Sequence, residues 1–254
     1  MKKLYTAVGQ LHFRGNLGGN RCPILVVNGN ETTPNMSEMI LWSTLYWQIL
    51  TEDELEIQFA AKKKEVNYED SMSASAVMYW MTRRGLIEEG VGDTYEDALY
   101  DLLSRLYITP IEVNPLLDVV SFLRMVFSDG LPVKTALQVF NRDRRSDGEK
   151  KIMKLIHKVK LTTAETVRCF DRNVLDLQNE DEVVERLYQD DYTTSENIAD
   201  EMRSSPVCRS VLTDISNLYL RKQIVFEKFH KNRNKTMIGI VIIYEQTITG
   251  NSSG

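Results

Sequence analysis

Long hydrophobic segments are the first thing that this 254-residue sequence lacks. Its longest largely apolar run, Ile238 to Tyr244, is far shorter than the roughly 20 residues that a membrane-spanning helix needs. The first fifteen residues contain Lys2 and Lys3 but no apolar stretch of the kind found in signal peptides. We therefore expect a soluble cytoplasmic protein with no membrane partner.

Residues that usually build catalytic or metal sites are few and scattered. The three cysteines are odd in number and far apart: Cys22, Cys169 and Cys208. We expect reduced, mostly buried thiols rather than a disulfide framework. The three histidines have no cysteine, aspartate or second histidine at ligand spacing: His12, His157 and His230. The glycine-rich stretch 15–19 lacks the Lys-Ser/Thr ending of a phosphate-binding loop. The sequence therefore predicts no catalytic residue, no metal and no cofactor, and a protein that is not an enzyme.

Charge is unevenly distributed along the chain. The net charge is -5, but residues 1–130 hold 11 basic and 18 acidic residues, whereas residues 131–254 hold 20 and 18. Phe140 to Lys160 contains 8 basic against 3 acidic residues, and Arg221 to Lys235 contains 6 against 1. Because local patches matter more for binding than the global sum, contact with nucleic acid is expected only in the second half.

Turn and capping residues divide the first two thirds into a β-hairpin and a series of helices. Leu4–Phe13 and Cys22–Val27 are rich in strand-forming residues and flank an Asn/Gly-rich turn, which predicts the hairpin. Capping residues, glycine stops and prolines at first helical positions predict the helices. Their predicted ranges are 37–50, 51–64, 73–84, 94–107, 115–127, a helix opened by Pro132, 149–159 and 163–172.

The last third repeats one pattern, in which three helices are followed by two strands. The predicted helices cover about 180–189, 195–202 and 206–220, and the predicted strands cover 224–229 and 237–244. The third helix has an apolar stripe at spacings of 4, 4 and 3: Val207, Val211, Ile215 and Leu218. A second stripe is polar and is expected to be exposed: Arg209, Thr213 and Asn217. The turn between the strands carries three cations: Lys231, Arg233 and Lys235.

This element order resembles the winged-helix superfamily. TTSENIADEM followed by SPVCRSVLTDISNLYLRKQIVFEKF looks like its usual run of helix 2, helix 3 and first wing strand, and TEDELEIQFA with SASAVMYWMTRRGLI looks similar. The first unit departs from the family, because the residues after Ile87 are acidic and leave no room for a long wing. The N-terminal hairpin is expected to complete its sheet instead.

The resemblance implies an α+β, mostly helical fold with two winged-helix-like units and an N-terminal β-hairpin. The predicted boundaries are 1–108 for the hairpin with the first unit, 109–175 for a helical connector with a basic linker, and 176–250 for the C-terminal unit. In the first unit, the predicted core contains Leu41, Leu45, Trp80 and Leu86. Further aromatic residues are also expected in that core: Trp42, Tyr46, Trp47 and Tyr79.

Two functions of different classes are compatible with this pattern. The first is a DNA-binding transcriptional regulator, dimeric in one interpretation, in which helix 3 enters the major groove of duplex DNA and the wing grips phosphates. Its DNA-binding residues would be Arg209, Thr213, Asn217, Lys231, Arg233 and Lys235. The second is a protein-interaction or assembly scaffold, favoured by the ten acids and one base between Asp176 and Glu201. A continuous positive face would indicate DNA, and interleaved acids would indicate a protein partner.

Overall fold

The computed structural model describes residues 1–15, 21–111, 145–188 and 192–228. The described chain is a mixed α+β structure with more helix than strand, as predicted. The helices are α1 Met36–Leu45, α2 Glu52–Glu65, α3 Ala74–Arg83, α4 Tyr95–Leu103, α5 Asp147–Ile156, α6 Thr163–Asp171, α7 Glu180–Leu187, α8 Ser195–Met202 and α9 Cys208–Leu220. The strands are β1 Lys2–Ala7, β2 Gln10–Gly15, β3 Arg21–Val27, β4 Asn30–Thr32, β5 Ile87–Gly92, β6 Tyr107–Pro110, β7 Leu161–Thr162 and β8 Ile224–Glu227. The helices predicted within 115–144, the second C-terminal strand and residues 112–144 of the predicted connector lie outside the described residues.

Capping side chains set most helix starts. Thr51 and Thr94 form the predicted capping boxes with the residues three positions later. The predicted start of α1 was wrong, because the helix is capped by Asn35 rather than by Ser37. The Asn35 side chain accepts a hydrogen bond from the backbone N–H of Glu38. The predicted cap of α9 was also wrong: the helix begins after Val207 without a side-chain cap, and Ser205 lies in the preceding turn.

Helix α1 is shorter than predicted. It ends at Leu45 instead of continuing to Leu50, because Tyr46 is extended and Trp47 adopts a left-handed conformation with φ of 61°. A left-handed residue cannot continue a right-handed helix. Trp47 is held in this conformation by contacts with the C-terminal part of the chain, described below.

The predicted N-terminal strand is two strands that belong to different sheets. Gly9, with φ of 88°, separates β1 from β2. Strand β1 pairs antiparallel with β5, so N-terminal residues complete the sheet of the first unit as predicted. Strand β2 pairs antiparallel with β3, which confirms the hairpin, and β4 extends that sheet in the order β2-β3-β4.

The third sheet joins distant parts of the chain. Strand β6 lies between β7 and β8 and pairs antiparallel with both. Residues 104–107 were predicted as the end of a helix, but α4 stops at Leu103 and Tyr107 already belongs to β6. Strand β8 confirms the first predicted C-terminal strand. The predicted boundary between residues 108 and 109 falls inside β6, and the domain division stays a prediction.

Two hydrophobic clusters form the core. The N-terminal cluster contains Leu41, Leu45 and Leu86 as predicted, together with the fully buried Trp42. Its predicted member Trp80 was wrong, since that side chain is 53% exposed. The second cluster is built from apolar residues of α4 to α9 and includes Leu4 and Val8 of the N-terminal segment.

The two clusters meet at Tyr219, on the buried side of α9. Its hydroxyl donates to the backbone carbonyl of Leu45 at 3.2 Å and accepts from the backbone N–H of Trp47 at 3.0 Å. The Trp47 indole N–H donates to the carbonyl of Ile224 at 3.2 Å. Across the described part of the chain, no helix is long and apolar enough to cross a membrane.

Candidate docking groove beside helix α3

Helix α3 has one buried face and one exposed face rich in aromatic and basic residues. Ala74, Val77, Met78 and Met81 follow the spacing of a helical stripe and are buried. The two residues between Met78 and Met81 must therefore point away from the core. Tyr79 and Trp80 are accordingly 54% and 53% exposed, which corrects their predicted core assignment.

These exposed side chains contact one another. The rings of Tyr79 and Trp80 lie edge to face with centroids 5.4 Å apart. Arg83 donates to the Tyr79 hydroxyl at 2.7 Å and places its guanidinium 5.6 Å from the centroid of that ring. Tryptophan, tyrosine and arginine are the residues most enriched among those that dominate the energy of protein interfaces. The exposed face of α3 therefore has the composition of a protein-binding surface.

Strand β4 supplies a second element beside α3. Asn28 and Gly29 both have positive φ, 52° and 73°, and they join β3 to β4 as a two-residue hairpin turn of type I′. In the described part of the sheet β4 is an edge strand, with β3 on one side. Strand β4 was not predicted, although an Asn-Gly pair after an apolar run is typical of a hairpin.

The register of this hairpin shows which backbone groups face outward. In a two-residue turn the flanking residues Val27 and Asn30 form a hydrogen-bonded pair. Pairs alternate along an antiparallel ladder, so Glu31, opposite Val26, directs its N–H and C=O away from β3. Within the described residues, Glu31 thus offers a backbone donor and acceptor at the sheet edge that pair with no strand, while its side chain pairs with Arg14.

A groove of about 200 Å³ separates β4 from the end of α3. Its walls are residues 27, 28, 30 and 32 of the hairpin, residues 82–86 of the helix end, and Lys228 just after β8. Among the described residues that line it, three are cations, Arg83, Arg84 and Lys228, and none is acidic. Glu38 pairs with Arg84, and Glu88 pairs with Lys228 at 2.7 Å. The groove is therefore a concave surface with cationic side chains on its walls, two of them ion-paired with glutamates, and residues from both ends of the described chain build it together.

The opposite flank of α3 has a different character. A shallower depression of about 280 Å³ is lined by Tyr5, Glu52, Tyr79, Arg83 and Glu89, together with Ser75, Met78 and Thr82. Burial, followed by hydrogen bonding to and charge from Glu89, raises the pKa of Tyr5 far above its usual range. Helix α3 thus separates a cationic groove from a depression of mixed charge.

The residues predicted to contact DNA are only partly brought together. Arg209 is exposed but pairs with Glu96 at 2.7 Å, and the exposed Thr213 donates to the Arg209 carbonyl at 2.9 Å. Asn217 is half-buried, and Asp214 between them accepts from Ser146 at 2.8 Å. The described part of this helix face therefore contains interleaved acids. The predicted wing cations, Lys231, Arg233 and Lys235, lie outside the described residues.

The described cysteines do not form a reactive or metal-binding centre. Burial raises the pKa of the Cys169 thiol to about 12, and Cys208 is also buried with a raised pKa, whereas Cys22 is exposed. Thiols with raised pKa values are poor nucleophiles and poor metal ligands. No cluster of His, Cys, Asp or Glu with the geometry of a metal site occurs in the ranges that the structure describes.

Comparison with known proteins gives no relative from which a function could be transferred. No known protein family, no curated protein and no solved structure matches this chain.

Proposed function

We propose that this protein is an interaction module that binds an extended polypeptide segment of a partner protein in the groove between β4 and α3. The observation that carries the proposal is the position of the β4 edge across the groove from Arg83, which continues on α3 into the exposed pair Tyr79 and Trp80 one turn earlier. Edge strands with free backbone groups bind extended peptides by adding a strand, and neighbouring side-chain pockets then provide specificity. A segment that extends from the groove past Arg83 along α3 would reach Tyr79 and Trp80, whose exposed rings supply apolar area that backbone hydrogen bonds alone do not provide.

The rigidity of both walls supports this proposal. The β3–β4 turn is closed by the two-residue connection at Asn28 and Gly29, and α3 is fixed by its buried stripe in the N-terminal core. A preformed site loses less conformational entropy on binding than a loop that must become ordered. The groove therefore has the properties expected of a peptide site that binds without large rearrangement.

Selection from a phage-displayed library of random twelve-residue peptides against the full chain tests the proposal. Recovered peptides should slow backbone hydrogen exchange at residues 30–32 and around residues 79–86, and leave exchange in α7 unchanged. Recovery of no peptide, or protection confined to other elements, would refute the groove as a peptide site. Sedimentation of the chain alone is the companion measurement, since concentration-dependent dimers that compete with the peptides would make a second copy the occupant.

DNA binding through the C-terminal unit is a second candidate. The observation in its favour is that α9, the third helix of that unit, exposes Arg209 and Thr213 on one face. We place it second, because Glu96 neutralises Arg209 and Asp214 lies on the same helix. Its test is binding of the full chain to random duplex DNA at two salt concentrations. A DNA regulator should bind at low salt and lose affinity steeply as salt rises.

A further inference from the structure

We infer that the polypeptide segment bound in the groove carries carboxylates, and that Lys228 is a residue that selects them. The inference rests on the proposed function and goes beyond it by naming the chemistry of the partner. Its basis is the position and charge of Lys228 relative to the strand edge.

Lys228 comes from the far end of the described chain but is held firmly at the groove. The backbone N–H of Gly9 donates to the carbonyl of Phe226 at 2.8 Å, and the Gln10 side-chain amide donates to Glu227 at 2.9 Å. These contacts fix the end of β8 against the N-terminal unit. The Lys228 ammonium then donates to Glu88 at 2.7 Å, while its side chain stays 37% exposed.

The charge balance of the groove favours an acidic ligand. The chain has a net charge of -5, yet the described residues that line the groove include three cations and no carboxylate. Glu88 takes one of the three protons that a lysine ammonium can donate, which leaves donors for a ligand. Arg83 lies at the helix end with its guanidinium against Tyr79, and in the described chain no carboxylate pairs with it. Arginine and lysine donors form their strongest hydrogen bonds with ionised acceptors such as carboxylates.

The strand geometry specifies where those carboxylates would lie. Asn30 and Thr32 line the groove, whereas Glu31 between them pairs with Arg14 of β2. A strand added at this edge would likewise turn alternate side chains toward the groove. We therefore expect acidic residues at positions i and i+2 of the bound segment, on the face next to Lys228 and Arg83.

The chain offers a matched control in Lys3. Lys3 pairs with Glu89 at 3.2 Å, and Lys228 pairs with Glu88, so two lysines neutralise consecutive glutamates of β5. Consecutive residues of a strand point to opposite faces, and Lys3 does not line the groove. Replacing either lysine by glutamine removes one exposed ion pair, but Lys228→Gln alone alters the groove.

The experiment is the same random-peptide selection, performed in parallel on the full-length wild type, Lys228→Gln and Lys3→Gln, after equal melting temperatures have been verified. Wild type and Lys3→Gln should return peptides enriched in Asp and Glu at alternating positions, and Lys228→Gln should lose that enrichment. For one recovered acidic peptide, Kd should rise about tenfold with Lys228→Gln, change less than about twofold with Lys3→Gln, and recover with Lys228→Arg.

The possible failures are distinguishable. Peptides that protect the groove without acidic enrichment would overturn this inference and leave the proposed function standing. Failure to recover any peptide would overturn both. Displacement of the acidic peptides by a random 20-base-pair duplex, with loss of duplex binding in Lys228→Gln, would make the groove a nucleic-acid site and would also overturn the inference.

Discussion

The hydroxyl of Tyr219 accepts a hydrogen bond from the backbone N–H of Trp47, which lies 172 residues earlier in the sequence, at 3.0 Å. The same hydroxyl donates to Leu45, and Thr6 Oγ1 lies 2.9 Å away. The Tyr219 side chain, on the last described helix, therefore supplies hydrogen-bond partners for polar groups at the N-terminal cluster. The indole of the same Trp47 donates to Ile224 of β8, so the position of β8 near the groove also depends on the association of both parts of the chain.

Replacing Tyr219 by phenylalanine should destabilise the protein without changing the shape of the core. The ring stays, but the backbone N–H of the half-buried Trp47 loses its acceptor, and leaving such a group unsatisfied costs up to about 1–3 kcal/mol. Chemical denaturation of wild type and Tyr219→Phe measures this difference. Tyr95→Phe is the matched control, because Tyr95 is 55% exposed, and it should change stability by less than about 0.5 kcal/mol. Equal stabilities of the two variants would show that the Tyr219 hydroxyl has no such role.

Trp80→Ala should affect binding far more than stability. Since its ring is about half exposed, the free energy of unfolding should change by less than about 1 kcal/mol, whereas Trp42→Ala in the same core should cost about 3–5 kcal/mol. The affinity for peptides recovered by selection should fall at least about tenfold with Trp80→Ala. Paired denaturation and binding measurements on both variants check this. A large stability loss with Trp80→Ala would restore the core assignment that the sequence predicted.

The error over Trp80 shows what sequence patterns can and cannot provide here. Capping boxes at Thr51 and Thr94 were predictable, because each depends on residues three positions apart. The exposure of Tyr79 and Trp80 depends on which stripe of α3 faces α1 and α2, and hydrophobicity alone assigns large aromatics to the core. Pattern reasoning therefore located the helix but placed its most informative residues on the wrong face.

The groove was less predictable than the helices. Its walls come from segments separated by up to about two hundred residues. The pairing of β8 with β6 and the ion pair of Lys228 with Glu88 join the end of β8 to the N-terminal unit, and neither contact is local in sequence. Strand β4 has three residues, too few for a periodic pattern, although the Asn28-Gly29 turn marks it locally. Lys228 belonged to a basic window in the sequence, where it was grouped with the predicted wing rather than with the N-terminal unit.

Ionisation of Tyr46 should lower the free energy of unfolding at high pH. Burial raises the pKa of Tyr46 to about 12, whereas an unfolded tyrosine ionises near 10. Between these values the unfolded state binds fewer protons than the folded state, so the free energy of unfolding falls as pH rises. The free energy of unfolding of Tyr46→Phe should fall less steeply than that of the wild type as pH rises from about 10 to 12. Denaturation at several pH values measures the slope, and an identical slope in both proteins would contradict the assignment.

The DNA hypothesis makes its own prediction. If the C-terminal unit binds duplex DNA, joint replacement of Lys231, Arg233 and Lys235 by alanine should weaken binding to all sequences and lower the magnitude of the salt slope by up to about 2–3. Asn217→Ala should instead cost about 1–3 kcal/mol at a preferred site only. Fluorescence anisotropy at several salt concentrations measures both. Absence of duplex binding by the wild type at low salt would eliminate this function.

The central claim, strand addition at β4, is tested most directly by comparing Glu31→Pro with Glu31→Ala. Both variants lose the carboxylate that pairs with Arg14, but only proline removes the outward backbone N–H that the added strand would use. The measurement is the Kd of one recovered peptide by isothermal titration calorimetry with each full-length variant, after confirming that both are folded. The account predicts affinity close to wild type for Glu31→Ala and a loss of at least about tenfold for Glu31→Pro. Equal affinities for the two variants would contradict it.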